Sequence, residues 1–243
     1  MSPAEAPSAP AVFLPWDTDF FGFRIGRATA PQLTPASTQH LLAWSAAERL
    51  RCLYFFADPN CATTLSCAHD ARFKFVDFRL EFSLDLQRIP APPAPANIRP
   101  ASAADLPALE ALSRAAHTDT RFFKDSQFPA DRAAELYAAW LRRDFREHRI
   151  FTLDTNAAPA GYITCQIDPA TRLGRIGLIA VAPAARGSGH GRHLLQGALA
   201  WFQFSGCREV RVVTQASNLV AQRLYQSAGF KTAEVAATFH RWF

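Results

Sequence analysis

The chain has 243 residues, enough to bury a sizeable core in one large or two small domains. With 49% hydrophobic and 19% charged residues it reads as globular rather than disordered, and no apolar run approaches the ~20 residues of a membrane-spanning helix. A net charge of +5 favours anionic partners, yet the arginines are spread without a Lys/Arg block, so an anionic small ligand explains them as well as nucleic acid does. Met1 to Pro10 lacks the basic start and apolar block of a secretory signal and is expected to be a disordered tail over residues 1–10. The five cysteines, Cys52, Cys61, Cys67, Cys165 and Cys207, are odd in number and show no paired CxxC spacing. Reduced thiols, no metal site and a cytoplasmic location are therefore expected.

In chain order, the alternation of patterns predicts a strand near Phe23 to Thr29, a helix near Pro35 to Arg51 and a strand Leu53 to Ala57. A short helix near Ala62 to Ala71 and a strand Phe75 to Leu86 complete a small α/β unit over residues 11–89. Pro90 to Pro100 reads PAPPAPANIRP, which favours extended structure and marks a connector over residues 90–96. Beyond it, a second unit over residues 97–243 begins with a strand at Ile98, and Ser102 and Asp105 open a helix as a variant capping box. A loop His117 to Pro129 and a helix Asp131 to Phe145 follow. Strands are expected at Arg149 to Leu153 and Gly161 to Ile167, with a turn Asp154 to Pro159 between them.

Residues 176 to 202 are the centre of the chain. Ile176 to Val181 is an apolar run without charge, suited to a strand buried on both faces, and Pro183 stops it. Arg186-Gly187-Ser188-Gly189-His190-Gly191 then leads into a helix whose Leu194, Leu195, Ala198, Leu199 and Phe202 make one apolar face. Three glycines in five positions let backbone N–H groups point into one concavity at the positive end of the helix dipole, an arrangement that binds phosphate. The Gly-Lys-Ser/Thr of a P-loop is absent, and Glu209 stands at the start of its strand rather than at the end where a dinucleotide fingerprint needs an acid. A strand Glu209 to Thr214, a helix Asn218 to Ala228 closed by Gly229, and a final strand region to Phe243 end the chain. Asn218 could simply cap its helix, and Tyr225 lies on the apolar stripe Ala221, Leu224, Tyr225, Ala228, where it could be core.

Val181 to Gly191, V-x-P-x-x-R-G-x-G-x-G, resembles the pyrophosphate loop of the GNAT superfamily of acyl-CoA-dependent N-acetyltransferases. Asn218 to Phe230 resembles that superfamily's N-x-x-A-x-x-L-Y-x-x-x-G-F segment, and the element order after residue 97 is similar to its fold. The resemblance implies an α/β protein of GNAT fold, a mixed central sheet flanked by helices, with acetyl-CoA as co-substrate. It places the pyrophosphate on the amides around Arg186, Gly187, Ser188, Gly189, His190, Gly191 and Arg192. The pantetheine arm would lie on unpaired backbone of Ile179, Ala180 and Val181, with Asn218 touching the coenzyme. Tyr225, with an ordinary pKa near 10, would donate a proton to the leaving thiolate, whose thiol has a pKa near 8.5 by analogy with cysteine. No general base is assigned, since the strand before Asn218 reads VRVVT over Val210 to Thr214 and a water chain could serve.

The acceptor is read from the N-terminal unit. Leu14-Pro-Trp-Asp-Thr-Asp-Phe-Phe-Gly22 sets Asp17 and Asp19 beside Trp16 and Phe20; it could be no more than a turn into the first strand. This opening, ahead of an α/β unit and then a GNAT domain, is similar to superfamily members that acetylate nucleotide-linked amino sugars. The loop Thr120 to Phe128 resembles their Arg-Phe-rich acceptor loop, and Arg121 and Lys124 beside Phe122 could meet a diphosphate and a base. The expected partner is thus a small-molecule amine, a nucleotide sugar first, with neither nucleic acid nor membrane, in a chain that could form a homodimer. A peptide or protein N-acetyltransferase and a non-catalytic CoA-binding module are the alternatives.

Overall fold

The computed structural model describes residues 9–90, 95–155 and 158–243. Most of the expected tail, residues 91–94 of the connector, and the middle of the turn expected at Asp154 to Pro159 lie outside the described residues.

The chain divides into two compact units, Met1–Arg79 with Val235–Phe243, and Leu80–Glu234. The first contains strand β1 (Ala11–Phe13), helix α1 (Pro15–Phe21), β2 (Ile25–Ala28), α2 (Pro35–Ala47), β3 (Cys52–Ala57), α3 (Ala62–Asp70) and the start of β4 (Lys74–Asp85). The second continues with β5 (Ile98–Pro100), α4 (Leu106–Ala116), a short α5 (Arg121–Lys124), α6 (Ala130–Glu147), β6 (Arg149–Thr155), β7 (Ala158–Ile167) and β8 (Leu173–Val181). It ends with α7 (His190–Phe204), β9 (Glu209–Gln215), α8 (Leu219–Ser227) and β10 (Lys231–Trp242), whose last residues return to the first unit.

The division falls at Arg79/Leu80, inside β4, and the proline-rich stretch lies within the second unit. Composition gives no sign of this, because a strand that passes from one core to another keeps its strand pattern throughout. The opening Leu14 to Gly22, for which a simple turn is one of the two readings, contains a helix: Pro15 presets its first turn, and Gly22 at φ 77° ends it. Inside the expected loop His117 to Pro129 sits the one-turn α5. Local capping chemistry accounts for three further helix starts. Thr34 and Ser37 cap α2 reciprocally, Ser102 and Asp105 do the same ahead of α4, and the Asn218 side chain accepts the Ala221 N–H at 3.1 Å at the start of α8.

In the first unit the strand order is β1-β2-β3-β10, with β3 and β10 antiparallel from Ala57↔Ala237 to Cys52↔Trp242. Leu41, Leu53, Phe55, Ala68, Phe73 and Phe239 fill its core. In the second the order is β4-β9-β8-β7-β6-β5. Its pairs from β5 to β8 are antiparallel and β8–β9 is parallel, giving the mixed sheet. Helix α7 lays Leu194, Leu195, Ala198 and Phe202 on one face of that sheet, and α4 and α6 pack together. Among the described residues no helix is long and apolar enough to cross a membrane.

Candidate active site

The site grows from a separation of two parallel strands. β8 pairs with β9 only from Leu173↔Glu209 to Ile176↔Val212, although β8 runs on to Val181 and β9 to Gln215. Beyond Ile176 the strands part, and Ile179 and Val181, expected in a strand buried on both faces, are only partly buried. On its other edge β8 stays paired with β7, but the register shifts between Ile163↔Ile179 and Cys165↔Ile176, so Gly177 and Leu178 together oppose Thr164 in a β-bulge.

The bulge decides which amides face the opening. Above it, the Ala182 N–H donates to the Ala160 carbonyl at 2.8 Å. Antiparallel ladders alternate bonded and non-bonded pairs, so Tyr162 and Ala180 form the next bonded pair. Ile179 and Val181 then turn their backbone groups away from β7, toward the side that β9 has left. Ala180 directs its own to Tyr162, and the Val181 carbonyl accepts the Arg186 Nε–H at 3.1 Å.

At the far end of β8 the chain turns through Gly187 at φ 84° and Gly189 at φ 77° into α7. Both conformations are left-handed, which glycine adopts without strain. A Cβ added to either would meet nothing within 4 Å, so packing does not demand these glycines. Among the described residues no acceptor takes the N–H groups of Gly187, Ser188, Gly189, His190 or Gly191. The loop is held from behind by the His190 Nδ1–H, which donates to the Ala185 carbonyl at 2.9 Å. Backbone donors grouped at a helix N-terminus, with open space in front, suit an anion of phosphate size.

Helix α8 lies beside the start of α7, for a Cβ on Gly191 would stand 3.6 Å from Leu224. Two turns after the capping Asn218, Tyr225 is 2% exposed, with its ring 6.0 Å from Phe82 and 5.7 Å from Phe230. Burial pushes its phenol above the ordinary tyrosine value, so the hydroxyl keeps its proton. Its ring belongs to the core as the apolar stripe suggested, and that does not bar the hydroxyl from donating.

Across the opening, the stretch between α4 and α6 is tied to the end of β9. Lys124 pairs with Asp119 at 3.0 Å and donates to the Ser217 hydroxyl, which donates to Asp119 at 3.2 Å. Arg121 lies over the Phe122 ring at 4.4 Å, and Phe122 is itself buried against Phe128 at 5.2 Å, where it anchors α5. Beneath this stretch the His117 imidazole meets the Tyr162 hydroxyl at 2.8 Å and stacks on Tyr137 at 4.8 Å, and Tyr162 donates to Ser113 at 2.9 Å. Burial pushes the imidazole down to about 4.

The second unit thus contains residues 179–181, 186–192, Asn218, Tyr225, Arg121, Phe122 and Lys124, while Trp16, Asp17, Asp19 and Phe20 stand on α1 of the first. There Trp16 stacks on Phe20 at 5.6 Å, Asp17 accepts a long hydrogen bond of 3.5 Å from Tyr54, and Asp19 is exposed. Sequence reading passed over Asp144, which is 0% exposed beneath the bulge. A signal existed, because Asp144 continues the buried face of α6 formed by Ala133, Leu136, Tyr137 and Leu141. Among the described residues no group of three or more His, Cys, Asp or Glu is placed to hold a metal ion.

Residues 110–230 match the Acetyltransferase (GNAT) family. The chain is 29% identical over 236 residues to a dTDP-fucosamine acetyltransferase of Escherichia coli O6:H1, covering 94% of this chain and 96% of that protein. A spore coat polysaccharide biosynthesis protein of Bacillus subtilis is 26% identical over 152 residues, 59% of this chain and 50% of the relative. Among solved structures, a GCN5-related N-acetyltransferase from Sphaerobacter thermophilus superposes with a TM-score of 0.63 at 17% identity, over 96% of this chain and 76% of that one.

Proposed function

From the premise that the chain belongs to the GNAT acetyltransferases and is an acetyl-transferring enzyme, we propose that it acetylates the amino group of a nucleotide-linked sugar, dTDP-4-amino-4,6-dideoxygalactose being the first candidate. The observation that carries this reading is similarity to a dTDP-fucosamine acetyltransferase along 94% of the chain, the N-terminal unit included. An enzyme similar to it only in the GNAT region would leave that unit without a role.

Acetyl-CoA is the co-substrate the family implies, and the residues present fit it. The unclaimed amides of Gly187 to Gly191 would hold the pyrophosphate, with Arg186 and Arg192 adding charge, and the outward backbone of Ile179 and Val181 would pair with the pantetheine arm as an added strand. Asn218 keeps its amide N–H₂ for the coenzyme while its oxygen caps α8. The amine nitrogen attacks the thioester carbonyl, the N–C bond forms as the C–S bond breaks, the Tyr225 hydroxyl supplies the proton that the leaving thiolate takes, and the proton shed by the amine passes to water, from which the tyrosinate recovers its own. Arg121 and Lys124 of the second unit are proposed for the acceptor, and Trp16, Asp17, Asp19 and Phe20 of the first unit are acceptor candidates on the resemblance alone. The five cysteines are free thiols, in keeping with the cytoplasmic setting proposed for the enzyme.

The test is acetyl-CoA turnover against a panel of amino-sugar nucleotides, polyamines and peptides. The expected result is a kcat/KM for the dTDP-4-amino sugar at least a hundredfold above any peptide or polyamine. Preference for peptides would overturn the acceptor, and normal CoA binding without transfer to any amine would overturn the catalytic role of Tyr225.

A further inference from the structure

Three groups meet at the point where β8 leaves β9. The Thr164 hydroxyl oxygen accepts the Leu178 N–H at 2.9 Å, in place of the main-chain partner that an unbroken ladder would supply. The Asp144 Oδ2 atom is buried and has no hydrogen-bond partner among the described residues, while Oδ1 receives only a long 3.4 Å contact from Arg143. Gly177 separates them, and a Cβ there would stand 2.6 Å from the Thr164 hydroxyl and 3.2 Å from Asp144 Oδ2. Only glycine lets β8 come this close to both.

The arrangement has a consequence for the reacting end of the ladder. Below the bulge, the Asp168 N–H donates to the Leu173 carbonyl at 3.0 Å, and the alternation leaves Gly174 and Ile176 facing β9, with which they pair. In an unbroken strand Leu178 would be the next residue facing that side. The extra residue shifts the order, so that Ile179 and Val181 face the opening instead. The bulge is therefore a parity switch, and the Thr164 hydroxyl holds it.

We propose that Asp144 is a positioning residue for acetyl transfer: its Oδ2 accepts the Thr164 hydroxyl hydrogen, fixing the hydroxyl oxygen toward Leu178 N–H and so aiming the Ile179 N–H at the thioester carbonyl. A buried carboxylate left unpaired is costly, and the nearby hydroxyl hydrogen is the donor that would relieve it. Burial pushes the Asp144 carboxyl up, and the Thr164 hydroxyl draws it back toward its ordinary range. A donor fixed in advance at the carbonyl oxygen stabilises the charge that gathers there as the amine attacks. This rests on acetyl-CoA lying along β8 as proposed above, and not on which amine is the acceptor.

The test follows the bound thioester by infrared difference spectroscopy with acetyl-CoA carrying a ¹³C carbonyl, which needs no acceptor. The carbonyl stretch of the wild-type complex should lie below its value in solution. Thr164→Val and Asp144→Leu should lose that displacement while binding acetyl-CoA within about threefold of wild type, and kcat should fall about 10². Thr164→Ser and Asp144→Asn, which keep the hydroxyl and an acceptor oxygen, should restore both. An undisplaced carbonyl in the wild-type complex would overturn the proposal even if no variant folds, as would an unchanged displacement in the Val and Leu variants. A displaced carbonyl combined with no turnover of amino-sugar nucleotides would refute the acceptor alone.

Discussion

Acidification should weaken the fold through His117. The imidazole stacks on Tyr137 and meets the Tyr162 hydroxyl, and burial lowers its pKa from 6.5 to about 4. Between those values the unfolded chain holds a proton that the folded chain refuses, so stability rises with pH across that window and is lost as pH falls. At 1.36 kcal/mol per pKa unit the full shift would amount to about 3 kcal/mol, and because the residue is not wholly enclosed about 2–3 kcal/mol is expected. His117→Gln keeps a hydrogen-bonding partner for Tyr162 and removes the titration. Urea unfolding of both proteins from pH 7 to pH 4 measures the effect: the wild type should lose about 2–3 kcal/mol more than the variant over this range. Stability curves that run parallel for the two proteins would refute the reasoning and assign acid sensitivity to other groups.

Tyr225→Phe keeps the ring against Phe82 and Phe230, so the melting temperature should hardly move while kcat falls about 10² to 10⁴; near-normal kcat, measured where chemistry limits the rate, would leave Tyr225 with packing alone. Gly189→Val places a branched side chain at φ 77°, at a cost of about 1–2 kcal/mol, and fills the open space before the amides of the loop; calorimetry should show acetyl-CoA affinity reduced at least about tenfold, and unchanged affinity in a folded variant would mean that the loop has been misread. A chain beginning at Asn97 loses Phe82, Leu84 and Leu86 from the core that contains Tyr225, each removal costing about 2–5 kcal/mol. That sum reaches the whole stability of an ordinary domain, so the shortened chain should show no cooperative melting transition; a wild-type melting temperature would refute this.

The sequence alone determined what depends on near neighbours. The glycines at 187, 189 and 191 announced a turn into a helix, Ser102 and Asn218 announced helix starts, and the alternation of patterns gave the order of strands and helices that makes the second unit a GNAT fold. These signals are local, because capping and backbone preference act within a few residues. Tertiary structure decided how far strands stay paired and which way their edges point. The parting of β8 from β9 after Ile176, and the bulge that turns Ile179 rather than Leu178 toward the opening, are set by pairing between strands, and the bulge is bonded through the Thr164 hydroxyl of β7. The unit boundary inside β4 is of the same kind, since the two halves of a strand can serve different cores without any change in strand pattern. Asp144 illustrates the divide most sharply: its place on the apolar face of α6 is written in the spacing, but only Gly177, on a distant strand, leaves room for its carboxylate beside the bulge.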